Sequence, residues 1–402
     1  MRTYLFITDI GESLGLAHHI HQQGDKVLFY IHDRRYKQVG IGLIDHIDTL
    51  DDILSHQPDL VIFDSVNPDL TKYAIRIEKT GIPVYGVSSI SNAMYNDLSY
   101  AKKFLNLNGI STDVKDNSIY VVYSSFLNGK SVVSSSIFFE YHRFMNGGIG
   151  QITYMGSVGL HVQSRKLESK LSSFMQALVK TKFSGQVDLR LAISGNDIAC
   201  REISFFNNQL TTPAFFQNAK VRTGDFLYSM AIGDTINPRF KSQWTYSMTL
   251  MKLPMSDPEL INGINNDNEK HLWYMEVSKD DSRTNLLPLR GYALTIVSRG
   301  DILREARRRT NRTLSNIQLE DKLYRTDIGH DVIKKCERLN QEGYTNVNIL
   351  AETTHNASFR QAPSPLSRAP QEAFSSNSIL PQPLQSANTS TVTLSEKSFL
   401  PS

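Results

Sequence analysis

The chain has 402 residues, with 43 Lys and Arg against 40 Asp and Glu, a formal net charge of +3. So small a charge excludes binding driven by bulk electrostatics, and neither nucleic acid nor a membrane is an expected partner; no apolar run approaches the roughly 18 residues of a bilayer span. The length allows two or three domains, Met1-Arg2 runs directly into a strand with no leader expected, and the two cysteines, Cys200 and Cys336, read as reduced structural thiols of a cytoplasmic protein.

The first hundred residues alternate short apolar strands with helices. Strands are expected at 4–7, 26–30, 60–63 and 84–87, and helices at 14–22, 50–55 and 69–79, with Gly24 and Gly81 as stops. Strand–helix repeats with short links mean a parallel, doubly wound, Rossmann-like sheet. Residues 81–113 then run from a buried strand through a small-residue turn, Ser88-Ser89, into a helical pattern that stops at Asn108-Gly109.

From Asn117 the texture becomes β-rich. Strands are expected at 119–126 and 131–139, joined by the hairpin signal Asn128-Gly129, and at 151–155. An amphipathic helix at 167–180 carries Leu171, Phe174, Met175 and Leu178 on one face. A second hairpin pairs 186–193 with 197–203 about Ser194-Gly195-Asn196. A helix at 226–232, strands at 244–253 and 293–297, an Arg-rich helix at 301–317 and a further short helix complete the folded part. From Glu352 Ser, Pro, Asn, Gln and Thr dominate, and the segment is expected to be a disordered tail, with Phe399-Leu400 as a conceivable docking point for a protein partner. Asn356-Ala-Ser358 and Asn388-Thr-Ser390 are formal glycosylation sequons without meaning in a cytosolic chain.

The junction at 81–113 resembles that of ATP-grasp ligases, and the phosphoribosylamine–glycine ligases in particular. Other segments resemble the same family in the same order: PDLVIFD at 58–64, YVVYSSFLNGK at 120–130, Asn146-Gly147-Gly148-Ile149-Gly150, VDLRLAISGNDIACREIS at 187–204, and Tyr324-Arg325-Thr326-Asp327-Ile328-Gly329. The resemblance implies an α/β chain in four parts. These are a Rossmann-like N-terminal domain (1–110), a reduced ATP-grasp-like α+β core (111–235), a small C-terminal α+β domain (236–350) and the tail (351–402). It implies ATP and Mg²⁺ as cofactors, and an amino acid and phosphoribosylamine or a similar small molecule as substrates. It also implies nucleotide or substrate contacts at Gly11, Ser88, Ser89, His142, Arg143, Asn146, Gly147, Gly148 and Gly150, and a metal ligand at Glu202.

The chain departs from that pattern where the chemistry is concentrated. ATP-grasp ligation needs lysines from a mobile lid on the phosphates and carboxylates on the core strands to hold Mg²⁺. Here only residues 111–117 separate the junction helix from the hinge strand, leaving no chain for a lid. The hinge acids become Ser124 and Ser125, the metal-binding Glu-Phe-Asn becomes Glu202-Ile203-Ser204, and Glu12 stands where the family has an arginine. Weakened or lost ATP chemistry is therefore expected, with a non-catalytic scaffold, ligand sensor or partner-binding protein as the alternative. Glu202 reads equally as a carboxylate paired with Arg190 or Arg201, with Asp188 joining only if the hairpin aligns them. The 146–150 run reads as an anion-binding turn or simply a tight one. His18, His19 and His21 read as a polar helix surface, and Arg304, Arg307, Arg308, Arg309 and Arg312 as a solvated face with Glu305 pairing Arg308 or Arg309.

Overall fold

A computed structural model describes residues 1–349 except 52, 66, 254 and 282, together with Glu352 and the backbone of Thr391–Thr393. The N-terminal part is built from β1 (Thr3–Thr8), α1 (Leu14–Gln22), β2 (Lys26–Ile31), β3 (Asp45–His46), β4 (Leu60–Asp64), α2 (Pro68–Glu78) and β5 (Val84–Tyr85). All pairings are parallel, in the order β3-β2-β1-β4-β5. Strands β1 and β4 are apolar nearly throughout because both faces of the sheet are covered. The expected helix at 50–55 is instead a short 3-10 turn, Ile53–His56. It stops at Gln57, whose φ is +48°, directly before Pro58.

The junction contains two helices, α3 (Ser89–Asn96) and α4 (Leu98–Leu107). Ser88 caps α3 through a reciprocal box with Ser91, and Asp97 caps α4 by accepting from the Tyr100 N–H at 3.0 Å. Gly86 before them has φ +100°, and a Cβ there would lie 2.2 Å from the carbonyl oxygen of Phe63, so only glycine fits.

The rest is organised by an antiparallel sheet. Its core strands are β6 (Ile119–Asn128), β7 (Val132–Met145), β8 (Ile149–Leu160), β9 (Ser184–Ser194) and β10 (Asp197–Ser204), with α5 (Arg165–Lys180) between β8 and β9. Helices α6 (Thr211–Asn218) and α7 (Thr223–Ile232) follow, then β11 (Trp244–Met251), β12 (Glu259–Ile261), β13 (Leu272–Tyr274), β14 (Val277–Asp280), β15 (Arg283–Leu286) and β16 (Tyr292–Gly300). The chain continues through α8 (Leu303–Asn316) and α9 (Val332–Gln341). Strands β11, β16 and β13 extend the β6–β10 sheet beyond β8, while β12, β15 and β14 form a small sheet of their own.

The expected disordered tail, its two sequons and Phe399-Leu400 lie outside the described residues, apart from Glu352 and β17 (Thr391–Thr393). Glu352 accepts from the Leu303 N–H at 2.6 Å. Strand β17 pairs antiparallel along the outer edge of β10, where a β-branched Thr-Val-Thr segment meets open backbone groups. No helix among the described residues is long and apolar enough to cross a membrane.

Candidate functional site

The β9–β10 register decides which polar side chains meet. Glu202 lies opposite Arg190 and Ser204 opposite Asp188, so all four stand on one face of the sheet. Glu140 arrives from β7 on the same side. The Arg190 guanidinium bridges the two glutamates: its Nε is 2.9 Å from Glu140 Oε2, and its Nη1 meets Glu202 Oε1. Glu140 is further held by His142 Nε2 at 3.0 Å and by the Asn208 side-chain amide at 2.8 Å. The side chains of Arg190 and Glu140 are only 11% and 2% exposed.

The two carboxylates share the guanidinium unequally. Burial alone would raise Glu140, but Arg190, His142 and Asn208 together outweigh it and hold the group at about 2. Glu202 has one corner of the guanidinium, and burial leaves it above the ordinary carboxylate range. Burial by itself would lower Arg190, and the two glutamates reverse that effect.

Next to this cluster, Asp188 closes a separate network. Its carboxylate accepts from Thr211 Oγ1 at 2.8 Å and from the Gln186 amide at 3.0 Å. Gln186 also donates to Ser124 Oγ and accepts from Thr212 Oγ1 at 2.6 Å. All these side chains are buried and mutually satisfied. Asp188 therefore faces Ser204 across the hairpin without joining Glu202 in a ligand set. Among the described residues no group of three or more His, Cys, Asp or Glu could hold a metal ion. A divalent cation does not fit between Glu140 and Glu202, because the guanidinium already lies between them.

The remaining sequence-expected residues are dispersed. Asn146-Gly147-Gly148 forms the exposed tip of the β7–β8 hairpin, where φ values of +74° and +72° require the two glycines. The tip is already occupied by the chain's own groups. The Gly147 N–H donates to Asp327 Oδ2 at 2.7 Å, Asn146 exchanges hydrogen bonds with Thr326, and Arg143 donates to the Gly150 carbonyl at 2.8 Å. Asp327 is in turn gripped by Arg325. Ser88 and Ser89 start α3, and Gly11 sits in the β1–α1 turn with its N–H on Thr8 Oγ1 at 3.0 Å. Of these residues only His142 reaches the Arg190 cluster.

Of the α1 histidines only His21 is exposed as expected; His18 and His19 turn inward. His18 is 6% exposed and packs with its ring tilted against Tyr274 at 5.0 Å, and His19 stacks on Trp273 at 4.5 Å. Strand β13 covers that face of the helix, and burial lowers both imidazoles, His18 to about 3 and His19 to about 4. On α8, Arg309 pairs with Glu305 at 2.6 Å.

Sequence reasoning underrated Glu140, Asn208 and Arg190 as one unit. The signal available was a charged residue at inward positions of neighbouring strands, and it needs the register to become visible.

Comparison with protein-family models and with curated proteins finds no match to the sequence. Solved structures do match. Phosphoribosylamine–glycine ligase of Thermotoga maritima superposes with a TM-score of 0.60 at 16% identity, over 81% of this chain and 100% of that one. Phosphoribosylglycinamide synthetase of Anaerococcus prevotii gives 0.55 at 12% identity, over 79% and 98%. The biotin carboxylase domain of Hydrogenobacter thermophilus 2-oxoglutarate carboxylase, solved with MgADP and bicarbonate, gives 0.57 at 9% identity, over 90% and 100%. The chain thus has the ATP-grasp fold, and at these identities the likeness is one of fold alone.

Proposed function

We propose that this chain is a phosphoribosylamine–glycine ligase-like protein of the ATP-grasp lineage whose ATP-dependent carboxylate–amine ligation is lost, leaving a non-catalytic ligand- or partner-binding protein. The observation that carries the proposal is Arg190 between Glu140 and Glu202. An internal cation occupies the space between core-strand carboxylates where ligation would require Mg²⁺ to hold the nucleotide phosphates.

The link between α4 and β6 supports the same reading. It spans residues 108–118, too few for a lid, and its single lysine, Lys115, is ion-paired to Asp197. The β1–α1 turn adds a further argument, since it offers Glu12 where a substrate phosphate would need a cation.

The test is an assay of ADP release by the full chain with phosphoribosylamine, glycine and Mg-ATP at high protein concentration. The expected rate equals that of buffer. ADP released in proportion to added glycine overturns the proposal.

A further inference from the structure

Five of the fourteen residues of α8 are arginines and one is a glutamate, a formal +4 on one helix against +3 for the whole chain. The small net charge of the chain therefore hides a strong local one. Glu305 answers only Arg309. Arg308 and Arg312 are exposed and one turn apart, and among the described residues neither forms an ion pair. Like charges at this spacing repel and cost stability.

Beside them lies a groove with room of about 200 Å³, where one water needs only roughly 10–15 Å³. Arg307, Asn311 and Leu314 of α8 line one wall and Lys322, Tyr324 and Thr326 the other, and no acid is among the lining residues. Hydrogen bonds fix how the walls face. Arg307 Nη2 donates to the Thr326 carbonyl at 2.7 Å, and Lys322 Nζ donates to the Leu314 carbonyl at 3.1 Å and to that of Ile317. The 322–326 segment therefore runs back along α8. The two cations stand toward opposite ends of the groove, about 10 Å apart by the rise of seven helical residues, with Asn311 and Tyr324 between them.

Among the described residues neither Arg307 nor Lys322 has a carboxylate partner. Lys322 covers the carbonyl end of α8, whose partial negative charge would otherwise repel an anion. Asp327, next to Thr326, is held by Arg325 at 2.8 and 2.6 Å, and the charges of Glu320 and Asp321 act on Lys252. Tyr324 is 37% exposed, and among the described residues its ring packs on no other aromatic ring and no cation. An open aromatic face between two unpaired cations suits an unpaired base between phosphates.

We propose that this groove and the outward face of α8 bind single-stranded nucleic acid. A base stacks on Tyr324 and meets the Asn311 amide with its edge. The phosphates to either side meet Arg307 and Lys322, and Arg308 and Arg312 carry the strand onward. A duplex keeps its bases paired and cannot offer one to Tyr324. The groove shares no residue with the Arg190 cluster, so the proposal stands apart from the loss of Mg-ATP chemistry.

Fluorescence anisotropy of the full chain at low salt, without Mg²⁺, tests it with labelled oligo-uridine and oligo-thymidine of about twelve nucleotides, a duplex of equal length, and labelled polyphosphate. The two single strands are expected to bind saturably, and the duplex at least about tenfold more weakly. Tyr324→Ala is expected to weaken the single strands about fivefold or more and to leave polyphosphate unchanged. Arg308→Gln with Arg312→Gln, both exposed, should lower the slope of log affinity against log salt by about 1.4 for the single strands. No saturable binding of either single strand, equal affinity for the duplex, single-strand affinity unmoved by Tyr324→Ala, or a salt slope unmoved by the double variant overturns the proposal.

Discussion

Replacing Arg190 by Ala should convert a metal-indifferent protein into one stabilised by a divalent cation. The substitution leaves Glu140 and Glu202 facing each other with no guanidinium, and their side chains are only 2% and 17% exposed. Removing one partner of a buried ion pair costs roughly 3–5 kcal/mol, since the remaining charge keeps its desolvation penalty. For a protein of this size each kcal/mol moves the melting temperature by about 2 °C, so a fall of roughly 6–10 °C is expected. The opened space should then admit Mn²⁺ between the carboxylates. At a concentration a hundredfold above its dissociation constant the ion returns about 2.7 kcal/mol, over half the loss. The assay is a thermal melt of wild type, Arg190→Ala and Arg190→Lys with and without millimolar MnCl₂. Mn²⁺ should raise the melting temperature of Arg190→Ala and leave wild type unmoved. A variant that melts within about 1 °C of wild type, or Mn²⁺ stabilising both equally, refutes the reasoning.

Three further outcomes follow from other parts of the molecule. His18 and His161 are buried and His19 is half-buried, and the loss of water lowers them to about 3, 3 and 4. The unfolded chain therefore binds more protons below about pH 6.5, and stability should fall with acidification by up to about 1.4 kcal/mol per pH unit for each histidine; a melting temperature flat from about pH 7 to 5 contradicts this. Cys200 and Cys336 are buried and unpaired, with burial raising each thiol to about 12, so neither should react with a thiol reagent until denaturant is added, and rapid labelling of the native chain would be inconsistent with the fold. Asp327→Ala removes the acceptor of the Gly147 N–H and the partner of Arg325; hydrogen exchange at the β7–β8 tip should quicken while stability falls by about 1–3 kcal/mol, and unchanged exchange there would show that the carboxylate does not hold the turn.

The parallel sheet, the two hairpins and α5 were legible because each rests on a local pattern: short apolar strands between helices, Asn128-Gly129, and an apolar stripe at helical spacing. Other elements lacked such a pattern. All eight residues of α6 are buried, so Thr211–Asn218 has no polar face and no amphipathic period to find. Strands β12 to β15 are three or four residues long and carry little alternation. The break between α3 and α4 turns on Asp97 serving as a cap in the middle of a continuous helical pattern. His18 and His19 read as surface because β13, the strand that covers them, comes from a distant part of the chain. The site was the least legible. Glu140, Arg190 and Glu202 lie on three strands, and only the registers of β6, β7, β9 and β10 reveal that a cation stands between two acids. The Asn146–Gly150 run was visible as a turn, but Asp327, which occupies its N–H, is 180 residues away.

The most direct test of the account is calorimetric titration of Mg-ATP into the full chain. With Arg190 seated between Glu140 and Glu202, no saturable heat is expected up to millimolar nucleotide. Saturable binding in the micromolar range, lost on removing Mg²⁺, would contradict the account, since it would require the two carboxylates to hold the metal that the guanidinium excludes.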